Sequence, residues 1–548
     1  MAETKDVSSV DLEKQFKEYS VAEFFKKNRQ MLGYSGKLRS LTTIVHEFVT
    51  NSLDSCEETN ILPEISVEIS ELPNGHFRVA VEDNGLGIPK KKVGAALGKL
   101  LAGTKFHQRM QKRGQQGIGA AYATLFAQIT TGKPTHVKSS IGDGNVYECD
   151  ITVDVQKNDP SITNEKEYRG KFRGVRIEGE YAEVDYNRSE YSCYEYLRRT
   201  ALGNPHAQIT LIEPNKEITV FPRASPQMPK RPKKVLPHPL GITTSDLMDM
   251  AAVTAARKIS SFLTADFSRI SSDKVKEMGA MIGNIDLERA PKALTWPEGE
   301  EIVKAFQKMK WIAPETDALQ AIGADQLEKS LKNLLQPEKL SVVERKPKVF
   351  RGGIPFMVEA AIAYGGKSGQ SGGEGKKGEV ARFANRVPLL FDAGNCATME
   401  AVKNIEWNRY DLKEWETMPV TIFINFVSVY VPYTGAGKLA ISTEEEIVLE
   451  IRMALMEAAR DVSIYLHGLQ KAEDAERRRL IFFKYIIEVA QALEDVTGKK
   501  ASVIQAKLKK IAEVRTSLLE AQEAGDETAE KELEDLEEEM EKEIEAEK

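Results

Sequence analysis

The chain is poorest in the features that would take it into a membrane or out of the cell. None of its hydrophobic runs approaches the roughly eighteen apolar residues of a membrane-spanning helix. Its opening segment, MAETKDVSSVDLEKQFKEYS, lacks the apolar core of a signal peptide. Both absences point to the cytoplasm and to no membrane partner. The four cysteines, Cys56, Cys149, Cys193 and Cys396, are scattered without a C-x-x-C pair, which argues against a zinc ribbon or a disulfide framework. Histidine is scarce too, and His107, His206 and His238 have no metal-ligand spacing with one another or with cysteine, so they read as structural or surface groups. No internal repeat is present.

Charge is present but unevenly spread. The whole chain carries a net −7, yet its last 28 residues hold 14 carboxylates against three lysines, which leaves the body mildly basic and the tail strongly acidic. Basic clusters at PKKKVG (89–94), QRMQKRG (108–114) and PKRPKKVLPHP (229–239) suit either DNA phosphates or solvated loops. At 548 residues there is room for several domains, each with its own core.

Periodicity divides the chain. Around HEFVTNSLD (46–54), apolar Leu41, Ile44, Val45, Phe48 and Val49 recur at helical spacing. Glu47 and Asn51 stand beside that face one turn apart, with Asp54 a turn further on. EISVEISELPNGHFRVAVEDNG (64–85) alternates on both sides of a Pro-Asn-Gly turn and predicts a hairpin ending at Asp83. The glycine- and lysine-rich stretch from Ile88 predicts a mobile lid, with a helix resuming at Ile118. A proline-rich basic linker follows (221–239), then short helical patterns with serine and aspartate caps (243–278). A second α/β region from about 325 to 465 contains strand patterns at 355–364 and 420–431 and a long helix from Glu444. From Lys471 the sequence is charged and helical, ending in the acidic tail.

Two glycine-rich stretches compete as phosphate sites. GGKSGQSGGEGKKGE (365–379) resembles the end of a P-loop, but Ala361 stands where the first glycine is needed, and low complexity continues where a helix should begin. It reads as a flexible loop. RGQQGIGAAY (113–122) is better placed. Gly114, Gly117 and Gly119 let a polyphosphate approach the backbone at a helix N-terminus, whose amides and dipole favour negative charge.

Taken in order, Glu47 and Asn51 on a helix, Asp83-Asn84-Gly85-Leu86-Gly87 at a strand end and the glycine turn before a helix resemble the three motifs of the gyrase, heat-shock chaperone, histidine kinase and MutL ATPase superfamily. ALGKLLAGTKFH (96–107), RKPKVFRGGIPFMVEAAIAYGG (345–366), ARFANRVPLLFDAG (381–394) and VPYTGAGKLAI (431–441) are similar to the topoisomerase VI B subunit family, over roughly residues 20 to 475.

The resemblance implies a multidomain α+β chain: an ATP-binding α/β sandwich (1–228), a helix-two-turn-helix module (229–320), an α/β transducer (321–470) and a C-terminal helical extension with an acidic tail (471–548). It implies ATP and Mg²⁺ as ligands. Glu47 would be the general base that orients and polarises the attacking water, and Asn51 a Mg²⁺ ligand. Asp83 would read the adenine amine, with Gly85 and Gly87 leaving room for the purine. Lys105, Gly114, Gln115, Gln116, Gly117, Ile118 and Gly119 would surround the polyphosphate, and Lys438 would reach the γ-phosphate from the second α/β domain. The family usually has a Gly-Thr pair on a later strand, where FRGVRIEG (172–179) has Val175. His46 adjoins Glu47 but reads as an ordinary helix residue, since a phosphoacceptor histidine sits on a separate helix.

The implied function is the ATPase subunit of a type IIB DNA topoisomerase at the nucleoid. Two copies would dimerise on binding ATP, the segment before Tyr34 crossing between them. They would work in an A2B2 heterotetramer whose A subunit cuts double-stranded DNA. Clamp ATPases of chaperone or mismatch-repair type, acting on protein partners, share the ATP motifs, and an ATP-sensing scaffold without turnover is a further alternative. Glu47 together with Lys438 favours turnover.

Overall fold

Alternating apolar residues build the first sheet. Ile65, Val67 and Ile69 of β1 (Glu64–Glu71) and Val79 and Val81 of β2 (Phe77–Asp83) are buried, and the two strands pair antiparallel with Ile65 opposite Asp83. This is the expected hairpin. The computed structural model describes residues 19–101, 110–111, 113, 118–231, 233–283, 285–370, 377–435 and 437–524. It falls into two compact units, 1–460 and 461–548.

In the first unit α1 (Val21–Lys27) and α2 (Lys37–Glu58) precede the hairpin. After it come α3 (Lys90–Gly98), α4 (Gly119–Thr131), β3 (Thr135–Ser140), β4 (Asn145–Asp154), β5 (Asp159–Arg169), β6 (Gly174–Tyr181), α5 (Cys193–Gly203), β7 (Gln208–Ile212) and β8 (Ile218–Phe221). The eight strands run in the order β5-β4-β3-β6-β2-β1-β7-β8, antiparallel except for β1 with β7. The apolar stripe of α2 (Leu41, Ile44, Val45, Phe48, Val49, Leu53), the alanine-rich α4 and Tyr196 and Leu197 of α5 share one core with the sheet. That packing holds the polar edge of α2 over the sheet.

The stretch expected to be a lid begins instead as a helix. Val93 and Leu97 of α3, four residues apart, are buried, while Gly94 and Gly98 lie on the side chains of Ile162 and Pro160 so closely that an added Cβ would stand 2.9 and 2.8 Å from them. Close packing through two glycines at helical spacing outweighs the loop-like composition.

Four short helices, α6 (Thr244–Val253), α7 (Ile259–Asp266), α8 (Ser272–Gly279) and α9 (Trp296–Lys308), enclose a separate core of Leu247, Ile259, Phe262, Leu263, Phe267, Ile302 and Phe306. Capping boxes at Thr243–Asp246 and Thr295–Glu298 start two of them and satisfy their first amides.

Next come α10 (Ala324–Leu335), β9 (Lys339–Glu344), β10 (Lys348–Phe350), β11 (Ile354–Tyr364), β12 (Glu379–Ala384), β13 (Val387–Pro388), α11 (Ala397–Lys403) and β14 (Val420–Ser428). Their sheet runs β10-β11-β14-β12-β13, with β9 also on β11, and β12 is parallel to β14. Near-continuous apolar sequence in β11 and β14 matches burial on both faces. Buried ions tie this sheet to the first domain. Arg198 of α5 donates to Glu195 at 2.8 Å and to Glu379 of β12 at 2.6 Å, and Thr421 of β14 donates to Glu379 at 2.9 Å.

The helix α12 (Glu445–Thr497) begins in the first unit, where Ile447, Ile451, Ala454, Leu455 and Ala458 are buried, and continues into the second. The second unit also holds α13 (Ala501–Ala524), which follows a left-handed Gly498. No described helix is long and apolar enough to cross a membrane. The acidic tail beyond residue 524 lies outside the described residues.

Candidate functional site

Helix α2 carries the site along its polar edge. Glu47 is half-buried and Asn51 exposed. The Glu47 carboxylate lies over the first turn of α4, so close to Gly119 that an added Cβ would fall 1.6 Å from Oε2. The glycine that sequence spacing assigns to phosphate approach thus also makes room for the carboxylate. Among the described residues neither the Glu47 carboxylate nor the Asn51 amide has a hydrogen-bond partner.

Asp83 closes the other side. Its Oδ2 accepts from Ser52 at 2.8 Å, and its Oδ1 accepts the Gly85 amide at 2.9 Å and the Val175 amide at 3.3 Å. Burial pushes its carboxyl above the ordinary aspartate value, against the pull of those donors. Val175 therefore stands beside Asp83, to which it donates its backbone amide. Two glycines make this corner possible. Gly87 has φ +77° with Ser140 O 2.1 Å from where a Cβ would be, and Gly174 has φ +106° with Asp83 O at 1.9 Å.

Lys438 comes from the second α/β region. It sits with φ 53° in the loop after β14, and its Nζ donates to the backbone carbonyl of Arg113 at 3.3 Å. Burial, aided by the Lys438 charge and opposed by Glu47, lowers the pKa of His46, whose ring packs edge-on to Tyr196 at 5.4 Å. His46 is thus a packed helix residue. Ile118 precedes α4 and is buried. Lys105, Gly114, Gln115, Gln116 and Gly117 lie outside the described residues, as do residues 371–376 of the P-loop look-alike.

A buried ion cluster beside this site left no signal that sequence reasoning used. Arg113, immediately before Gly114, pairs with Asp54 at 3.0 Å and with Glu57 at 2.7 Å, and Arg386 of the second sheet pairs with the same Glu57 at 3.1 Å. His206, expected to be structural or surface, is buried and bonded to Glu57 through Nε2 at 2.8 Å.

The donor set fits a nucleotide with a hard cation. Among the described residues there is no cluster of three carboxylate, imidazole or thiolate groups that could hold a metal alone. Mg²⁺ needs none, because it commonly takes one or two protein oxygens and completes its shell with phosphate and water. The exposed Asn51 amide oxygen suits that arrangement.

Residues 36–157 match the family of histidine kinase-, DNA gyrase B- and HSP90-like ATPases, which defines the class of this sheet and site. A second family, the transducer of the topoisomerase VI B subunit, matches residues 314–478. The B subunit of type 2 DNA topoisomerase 6 from Pyrococcus horikoshii is 43% identical over 576 aligned positions, covering 97% of this chain and 100% of that protein. The protein of the same name from Methanothermobacter thermautotrophicus is 46% identical over 474 positions, covering 86% of this chain and 90% of its own. The chain belongs to the topoisomerase VI B subunit family.

Proposed function

We propose that this chain is the ATP-binding and ATP-hydrolysing subunit of a type IIB DNA topoisomerase, with its domains at 1–228, 229–320, 321–470 and 471–548. The observation that carries this reading is that Lys438, from the loop after β14, bonds the Arg113 carbonyl and shares with Glu47 of α2 an electrostatic effect on His46, within a chain of this family. ATP lies with its adenine amine on Asp83 and its polyphosphate along the N-terminus of α4. Mg²⁺ on Asn51, when bound, offsets charge on the phosphates. Glu47 orients and polarises the attacking water by accepting a hydrogen bond from it, and a helix packed on six apolar residues holds that carboxylate in place. Lys438 places a point cation beside the transferred phosphoryl group.

Contact between that lysine and the last phosphate makes the position of the second sheet depend on nucleotide state. Two copies close on each other with ATP, and the second sheet passes that closure to an A subunit that cuts double-stranded DNA. The complex is an A2B2 heterotetramer in the cytoplasm, at the nucleoid. Helix α12 leaves Leu480, Ile481, Phe482 and Tyr485 51 to 62% exposed, an apolar surface suited to covering by the A subunit.

Replacement of the base tests the reading. Glu47→Gln is expected to lower ATP turnover about 100- to 10,000-fold while ATP still binds. Turnover at the wild-type rate would remove Glu47 from the role.

A further inference from the structure

Glu57 lies in the last turn of α2, the helix of Glu47 and Asn51, and accepts two guanidinium groups at once. Arg113 meets it through Nη1 at 3.0 Å and Nη2 at 2.7 Å. Arg386 meets it through Nη1 at 3.3 Å and Nη2 at 3.1 Å. All three side chains are buried. Asp54 also bonds Arg113, so the cluster contains two carboxylates and two guanidinium groups. Burial lowers the pKa of the neighbouring His206 imidazole, against the pull of Glu57. Burial alone would raise Glu57, yet Arg113, Arg386 and the His206 bond outweigh it and hold the carboxyl well below the usual glutamate range.

The two arginines are anchored on different segments of the first unit. Arg386 occupies the left-handed turn between β12 and β13, where its amide donates to Asn425 Oδ1 at 3.0 Å and its carbonyl accepts from Asn204 at 3.1 Å. Asn425 in turn donates to Glu359 at 2.7 Å, which locks the turn to β11 and β14. Arg113 belongs to the chain entering Gly114, and its carbonyl takes the Lys438 ammonium. Withdrawing either guanidinium would leave buried Glu57 with one of its two positive partners, an unfavourable change. The two arginines therefore move together, with Glu57 between them.

We propose that Glu57 is a positioning residue that couples the nucleotide site to the second sheet: a displacement of Arg113 when nucleotide binds is carried through the shared carboxylate to Arg386 and the β12–β13 turn. The proposal rests on the ATP-site reading, and it adds to Lys438 a second link that touches no nucleotide.

Hydrogen exchange on the full-length chain, with and without a non-hydrolysable ATP analogue, separates the two. Protection at residues 47–54 and 83–87 reports binding itself, and a change at 385–389 reports the coupling. In the wild type both segments should respond, the second by a factor of about 5 to 150. In Arg386→Met, where Glu57 keeps Arg113 and His206, the first response should remain and the second vanish, and Arg386→Lys, which keeps the charge, should restore it in part. Protection at 47–54 and 83–87 with none at 385–389 in the wild type would overturn the coupling alone. A 385–389 response that survives in Arg386→Met, or that Arg386→Lys fails to restore, would overturn it as well. No wild-type response at either segment would overturn the ATP-site reading, and the coupling with it.

Discussion

At the scale of single residues, Asp83 is held by three donors and one burial cost. Ser52, Gly85 and Val175 fix its oxygens, and burial raises its carboxyl above the ordinary 3.8. In the proposed adenine contact the amine donates to the ionised form, and that form is lost as pH falls through the raised value. The acid limb of ATP binding should therefore lie above pH 3.8, and Asp83→Asn should weaken ATP about 10- to 100-fold at neutral pH, measured by calorimetry. An unchanged affinity would take Asp83 out of the adenine contact. Asp83, like Glu47 and Asn51, was legible in the sequence because a polar residue stood out against helical or alternating apolar spacing and three such motifs came in order. Glu57 also stood on that helix, but its partner Arg386 is 329 residues away, and a contact of that span leaves no local pattern. The amide contact of Val175 with Asp83 depends on the register of β6 against β2, which no local pattern shows.

Among the elements, α4 has its N-terminus set by one missing side chain. Gly119→Ala would gain helix propensity, yet its Cβ would fall 1.6 Å from the Glu47 carboxylate. The carboxylate must swing away, and a base displaced by an ångström costs about 100-fold in turnover. Gly119→Ala is thus expected to keep its melting temperature while hydrolysis falls by more than any loss of ATP binding. A fully active variant would contradict the placement of Glu47 over α4. Helix α3 was not legible: its glycines and lysines look like loop composition, and only the strand face beneath it explains why glycine was needed at 94 and 98. The hairpin, the capped short helices and the two central strands of the second sheet were legible, because burial on one or both faces imposes a period on the sequence.

Across the whole molecule, the proposed nucleotide site draws on residues far apart in the chain, from α2 to the loop after β14. Lys438 reaches the backbone of Arg113, Arg386 shares Glu57 with the Arg113 side chain, and Arg198 joins Glu379 behind them. The apolar residues exposed along α12 are the surface proposed for the subunit that cuts DNA. The most direct measurement is relaxation of supercoiled DNA by this chain assembled with a topoisomerase VI A subunit, with ATP varied, for the wild type and Lys438→Ala. Relaxation is expected only with ATP, and Lys438→Ala should bind ATP nearly as well yet relax about 100-fold more slowly. Relaxation without ATP, or a Lys438→Ala complex working at the wild-type rate, would contradict an ATP site shared between two domains as the driver of strand passage.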